Sequence, residues 1–384
     1  MDINEKSLAL HRKHKGKISV ESKIKIKDKN DLSLVYTPGV AASCLAIKDD
    51  KNESYQLTAK GNTVAVISDG TAVLGLGDIG PLAAMPVMEG KCAIFKTFAG
   101  VDAIPIVLDT KDVEEIINTV KILAPSFGGI NLEDISAPRC FEIERRLKEM
   151  LDIPVFHDDQ NGTAIVTGAA LLNALKLVKK EINNIRIAIN GPGSAGIAIA
   201  NFLMELGATD VVMCDRVGIL DPNDSRHNPA QLEMAKKTNP KRLKGTLKDA
   251  LVCADVFIGV SAANVLKPDM VSLMNKDSVV FALANPTPEI SRDDALAGGA
   301  RVYGAGISNT PNQINNALVF PGIFKGALES RVKNIDLHMM KTACYALAAL
   351  VGEDELHEDY IIPDVFHEGV AKAISEAIKE DVLS

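Results

Sequence analysis

Beyond residue 185 or so, short apolar runs rich in β-branched side chains alternate with amphipathic stretches. A run at 185–190 leads through a glycine turn into a helical pattern over 194–206. Further apolar runs follow at 210–214, 254–260, 278–284 and 301–303. Strands joined by crossovers of this kind lie parallel in a doubly wound sheet. The pattern therefore predicts one α/β domain over 161–310. The first 160 residues also mix strands, at 63–67 and 103–108, with a helical stretch at 113–123. From about 311 the chain reads as helical, with apolar residues at helical spacing over 336–351. That tail is small for an independent core, so it is expected to pack back on the first 160 residues. The fold class is thus α/β in two domains, one at 161–310 and one discontinuous, made of 1–160 and 311–384.

The pattern G-x-G-x-x-G occurs twice, and alone it is a weak signal. Gly191-Pro192-Gly193-Ser194-Ala195-Gly196 directly follows the run at 185–190 and opens the helical stretch after it. Asp215 closes the next strand, 19 residues after Gly196. Glycines in this context let the chain turn tightly and let its backbone approach a pyrophosphate at the positive end of a helix. This makes 161–310 a Rossmann-type dinucleotide-binding domain; a tight turn without a ligand is the structural alternative. A carboxylate at Asp215 accepts from a ribose 2′-hydroxyl and repels a 2′-phosphate, which favours NAD, while the adjacent Arg216 leaves NADP open. The other copy, Gly75-Leu76-Gly77-Asp78-Ile79-Gly80, is followed at once by Pro81. Pro86 and Gly90 break the next segment, and no acid closes a second strand at the right distance. It reads as a loop held close to substrate or core.

Two pairs of acids, Glu133-Asp134 and Asp158-Asp159, stand at the ends of apolar runs at 127–130 and 153–156. Neighbouring strand residues point to opposite faces, so either pair converges only from the turn beyond its strand. Asn131 and Asn161-Gly162 supply residues suited to such turns. Three converging carboxylates with water would make an all-oxygen site, suited to Mg²⁺ or Mn²⁺ and unsuited to zinc. The same acids read equally well as helix caps, residues 158–163 capping a helix over 164–177, and as solvated loop carboxylates.

Composition narrows the function classes. With 384 residues, 47% hydrophobic and 24% charged, the chain is an ordinary globular one. A net charge of −8 excludes a broad nucleic-acid footprint. The one basic stretch, 11–29, is interleaved with Ser, Glu and Asp and reads as a solvated segment. Six cysteines without a C-x-x-C pair read as reduced, mostly buried thiols of a cytoplasmic protein. No signal-type apolar segment stands at the N-terminus and no uninterrupted apolar stretch approaches spanning length, so no membrane partner is expected.

Taken together, the motifs resemble those of the malic enzyme family. The residues that carry the resemblance are Val35-Tyr36-Thr37-Pro38-Gly39-Val40, the stretch from Ser68 to Gly80, Glu89-Gly90-Lys91 and Asn131-Leu132-Glu133-Asp134-Ile135. His157-Asp158-Asp159-Gln160-Asn161-Gly162-Thr163, Phe281 to Thr287 and Asn315 to Gly322 complete the set, in order, from about residue 30 to 330. The resemblance implies oxidative decarboxylation of (S)-malate to pyruvate and CO₂ by a homodimer, with NAD or NADP and Mg²⁺ or Mn²⁺. It implies Lys91 as general base, Tyr36 as general acid, Glu133, Asp134 and Asp159 as metal ligands, and Asn285 and Asn316 as holders of substrate or nicotinamide. Without it, Lys91 would read as a surface lysine flanking a strand and Tyr36 as a tyrosine packed on a turn.

For Lys91 to accept the C2 hydroxyl proton, its pKa must fall through burial and neighbouring positive charge. One departure stands out. Larger members carry an arginine for the substrate carboxylate where this chain has Ala72, so other groups must bind it. The chain resembles the short form, and effectors of long forms are not implied. Three competing readings keep parts of this picture. An amino-acid dehydrogenase would share the plan without a metal, a malolactic enzyme would release lactate, and a nucleotide sensor would bind NAD and turn over nothing.

Overall fold

The computed structural model describes every residue except Met1, Leu74 and Ser384; Leu74, within the Ser68–Gly80 motif, thus lies outside the described residues. Strands β1 (Thr63–Ser68), β2 (Asp102–Val107), β3 (Gly129–Leu132) and β4 (Val155–His157) form a parallel sheet of order β2-β1-β3-β4. Strands β5 (Arg186–Asn190), β6 (Asp210–Cys214), β7 (Val256–Gly259), β8 (Ser278–Ala282) and β9 (Ala300–Ala305) form a second, of order β6-β5-β7-β8-β9. Residues of β1, β3, β4, β7 and β8 are buried without alternation. Helices cover both faces, which is why these strands read as continuous apolar runs. In the second sheet the strand order reverses at β5, and the crevice beyond the carboxyl ends there is where such sheets bind ligands.

Two helices differ from the sequence expectation. The first runs Asp158–Val178, directly out of β4. Asn161-Gly162 is therefore helix interior and not a turn. Gly162 is there for space: a Cβ would lie 1.9 Å from Asp158 Oδ1. This helix is long and apolar enough to cross a membrane by length and composition, with 67% of the relevant window buried inside the protein. Its apolarity has a simple cause, since helices Ser194–Glu205 and Leu337–Ala348 both pack on it. The second is Pro81–Ala99, which runs unbroken through Pro86 and Gly90. Ala84, Met88, Cys92, Phe95 and Ala99 form one buried stripe along it, and that packing overrides poor local propensity.

The tail helix Phe320–Ser330 lies against helices Pro81–Ala99 and Val370–Leu383. Phe320 and Phe324 stand edge-on to Phe95, with ring centroids 4.7 and 5.4 Å away, and Phe324 meets Phe156 of β4 at 5.9 Å. These rings lock the tail to the first sheet. Cys92, Cys140, Cys214 and Cys344 are buried free thiols, while Cys44 and Cys253 are exposed. Phe324→Ala should lower unfolding stability by about 3–5 kcal/mol in urea titration, through the lost ring area and the cavity left. A loss below about 1 kcal/mol would show that the ring cluster does not join the two parts.

Candidate active site

A cavity of about 290 Å³ collects residues from the carboxyl ends of both sheets: Ala72 and Gly75 after β1, Asp159 after β4, Gly193 after β5, Ser261 after β7 and Asn285 after β8. A neighbouring cavity of about 510 Å³ is lined by Gly191, Gly193, Asp215, Arg216, His227 and Ser261. Gly193 and Ser261 border both, so the two cavities adjoin, one reaching Asp215 and the other Asp159. The glycine turn between them is built as the spacing requires. Gly191 has φ +112°, and a Cβ there would meet Val260 O at 2.6 Å. A Cβ at Gly196 would lie 1.9 Å from Gly191 O, whereas at Gly193 nothing stands within 4 Å. Gly193 thus leaves open space, and Ser194 and Ala195 begin helix Ser194–Glu205 with backbone N–H groups that have no partner within the helix. Asp215 spends one oxygen on its own turn, accepting from Val217 N at 2.7 Å and Gly218 N at 3.0 Å. Its other oxygen is 3.8 Å from His227 Nδ1.

Beside the first cavity, around Asp159, the acids converge. Glu133 follows β3; its Oε2 accepts from Asn131 Nδ2 at 2.9 Å and its Oε1 from Lys91 Nζ at 2.8 Å. Asp134 adopts φ +53°, and its N–H donates to Asp159 Oδ2 at 2.8 Å. Asp158 and Asp159 occupy the first turn of helix Asp158–Val178, where the helix dipole favours negative charge. Lys91 Nζ donates also to Asp158 Oδ2 and sits 4.0 Å from the centre of the Phe320 ring. One oxygen from each of Glu133, Asp134 and Asp159 falls within 4.8 Å of the others. Asp134 Oδ2 is buried with no hydrogen-bond partner. Three carboxylates, oxygen donors only, with an orphaned buried oxygen among them, fit a hard divalent cation.

Burial, then repulsion from Asp159 and Glu133, pushes the Asp134 carboxyl up to about 9. Burial raises Glu133, Asp158 and Asp159 as well, against the pull of Lys91. For Lys91, burial works downward, but Asp158, Glu133 and Asp159 together outweigh it and the net shift is upward. This reverses the fall expected from the sequence, because every charged neighbour the chain supplies is an acid.

The site residues expected from sequence are distributed as follows. Lys91 is not a surface residue beside a strand but the buried middle of a helix, 7% exposed. Glu133, Asp134, Asp159 and Lys91 are brought together; Asn285 and Asn316 line the cavity beside them. Tyr36, at the end of helix Lys29–Val35, is 67% exposed and joins none of the cluster's hydrogen bonds. Ala72 faces the cavity, and among the described residues lining it none is Arg or Lys. Thr163, Ser194, Ser261, Asn285, Asn315 and Asn316 offer hydroxyls and amides there instead. The first glycine motif is a cavity wall: a Cβ at Gly75 would lie 2.7 Å from Asn285 O. Sequence reasoning missed Asp158 as the partner of Lys91; the one local sign was the glycine four residues later.

A doubly wound sheet with this glycine turn, opening onto buried acids and a lysine, defines a two-domain, dinucleotide-dependent oxidoreductase. The malic enzyme N-terminal domain matches residues 14–148, and the malic enzyme NAD-binding domain matches residues 160–383. The chain belongs to the malic enzyme family. It is 56% identical to the NAD-dependent malic enzyme of Geobacillus stearothermophilus, over 99% of this chain and 79% of that one. The bifunctional malic/malolactic enzyme of Bacillus subtilis (strain 168) is 54% identical, over 100% of this chain and 94% of its own. The crystal structure of the NAD-dependent malic enzyme of Thermotoga maritima superposes with a TM-score of 0.94 at 50% identity, covering 99% of each chain.

In calorimetric titration, Mn²⁺ should bind the wild type with release of protons, since Asp134 holds one up to a pH of about 9. Affinity should therefore rise as pH rises towards that value. Asp159→Ala should weaken binding by about tenfold or more; unchanged affinity would remove Asp159 from the cradle.

Proposed function

We propose that this chain converts (S)-malate to pyruvate and CO₂ with reduction of a nicotinamide dinucleotide, using Lys91 as general base beside a divalent cation, Mg²⁺ or Mn²⁺, held by Glu133, Asp134 and Asp159. One observation carries the reading. The acid cradle, with a buried amine hydrogen-bonded to it, meets through Asp159 a cavity bordered by the glycine turn, and that cavity adjoins the one that reaches Asp215. A cation in the cradle supplies Lewis acidity at the C2 oxygen, both for oxidation and for loss of CO₂. The remaining work falls to the chain itself. Lys91 takes the C2 hydroxyl proton, and Asp158 and Glu133 grip its ammonium from two sides while Phe320 covers a third. A cation held by Glu133 and Asp159 would offset two of the three acids that raise the Lys91 pKa and so shift it towards the lowering that burial already exerts.

Asn285 and Asn316 hold substrate or nicotinamide on the cavity wall, and the amides and hydroxyls around Ala72 take the substrate carboxylate. Tyr36 protonates C3 of the enol product, a role that requires the bound state to cover a phenol exposed here. Gly191, Gly193 and Gly196 admit the pyrophosphate to the N–H groups of Ser194 and Ala195, and Asp215 accepts from the ribose 2′-hydroxyl, so NAD is the preferred cofactor. The catalytic domain comprises 1–160 with 311–384 and the dinucleotide domain 161–310. A cytoplasmic homodimer fits the apolar side chains displayed along the N-terminal segment, Ile3, Leu8, Val20, Leu34 and Leu45 among them. A malolactic outcome is the second reading, favoured by the similarity to the bifunctional malic/malolactic enzyme of Bacillus subtilis; net formation of reduced nicotinamide separates the two.

Lys91→Ala should reduce kcat for malate oxidation by about 10²–10⁴-fold while leaving NAD affinity unchanged, read from the absorbance of reduced nicotinamide and from cofactor titration. An undiminished kcat would take Lys91 out of the chemistry. Asp215→Ser should raise the kcat/KM for NADP relative to NAD by about tenfold, and a constant ratio would argue against its ribose contact.

A further inference from the structure

Glu289 takes no part in the mechanism above, yet it is fully buried, at 0% exposure. Its Oε1 accepts from the backbone N–H of Ser261 at 2.8 Å and from the Ser261 hydroxyl at 3.5 Å. Its Oε2 accepts from the backbone N–H of Ala284 at 3.0 Å. Ser261 follows β7 and Ala284 follows β8, and both line the cavity that reaches Asp159. One carboxylate therefore ties together the two walls of that cavity from behind. The fold makes room for it, since a Cβ at Gly259 would lie 2.4 Å from Glu289 Cδ. Among the described residues no Lys, Arg or His forms an ion pair with it; burial raises its pKa on balance, while hydrogen bonds from Ser261, Ala284 and its own backbone N–H hold that rise down and favour the charged form.

A carboxylate fits this place in a way a neutral group does not. Both oxygens face backbone N–H donors, and a glutamine would turn an N–H towards one of them. An unpaired buried charge is nonetheless expensive in a low-dielectric interior, and its field reaches well into the adjoining cavity. The oxidised nicotinamide ring carries a positive charge and the reduced ring carries none. We propose that Glu289 is a positioning residue for the nicotinamide, which sets the spacing of the walls at Ser261 and Ala284 and whose charge makes the cavity prefer NAD⁺ to NADH. The inference rests on the reading that the cavity beside Asp159 takes the nicotinamide end of the cofactor. It gives the site a bias towards binding the oxidant and releasing the reduced product.

The test is a comparison of dissociation constants for NAD⁺, NADH and ADP-ribose on the full chain, by calorimetry and by NADH fluorescence. In Glu289→Gln, the ratio of the NADH constant to the NAD⁺ constant should fall about fivefold or more, as expected for losing one unit charge near the ring. ADP-ribose, which lacks the ring, should bind as it does to the wild type. An unchanged ratio, or an equal loss for all three ligands, would overturn the charge role. Glu289→Asp keeps the charge on a shorter stem; it should weaken both dinucleotides while holding their ratio within about twofold. Collapse of the ratio in that variant would also overturn the proposal, even if the glutamine variant failed to fold. A crystal structure with NAD⁺ bound separates the two readings. A ring outside the cavity of Ser261 and Asn285 would sink the cofactor placement itself, whatever the ratios.

Discussion

Four carboxylates, Glu133, Asp134, Asp158 and Asp159, share a largely buried space with one ammonium, that of Lys91. Taking that many charges out of water is costly, and a single amine cannot balance them. Much of the local structure serves to make the arrangement tolerable. Asn131 donates to Glu133, the backbone of Asp134 donates to Asp159, and the amino end of a 21-residue helix stands beneath Asp158 and Asp159. What stays unsatisfied is specific: oxygens on Asp134, Asp158 and Asn131 without hydrogen-bond partners, and more acids than the one amine can balance. The raised pKa values of these acids and of Lys91 follow from that crowding.

The dinucleotide end of the crevice works by a different principle. It combines missing side chains and helix-terminal backbone N–H groups with the charged side chains of Asp215, Arg216 and Arg226 along its wall. Polar but neutral side chains fill the space between, around Ala72, Ser261 and Asn285. Two regimes thus meet in one crevice: a buried corner crowded with acids around one amine, and a more open groove shaped by clearance. Glu289 lies behind their boundary, where a ring of variable charge would rest.

How much of this could be read in the sequence depends on the distance over which each feature is encoded. The strands and the turn at Gly191–Gly196 were legible, because strand, turn, helix and closing acid lie within one short unit. The acids were visible as candidates, but spacing alone left their convergence open against helix caps, since it joins residues after β3 to residues after β4, and only the family motifs favoured it. Asp158 was the clearest omission. Its pairing with Lys91 spans 67 positions, and Asn161-Gly162 imitates a turn so well that the helix was expected to begin six residues late. Pro86 and Gly90 misled in the same way, as local propensity was overruled by a buried stripe. Tyr36 was legible only through the family motif, and its exposure shows why no pattern of burial could have singled it out.

The direct passage from β4 into helix Asp158–Val178 has a mechanical consequence. No loop intervenes between the strand that pairs with β3 and the turn that carries Asp158 and Asp159. The acids are therefore mounted on a stiff lever rather than on a flexible arm. Glu133 and Asp134, directly after the neighbouring strand β3, are tied to the same sheet. Any rocking of the second sheet against the first would change the gap across the crevice while leaving the corner's internal spacings untouched, so that reach and geometry can be adjusted independently.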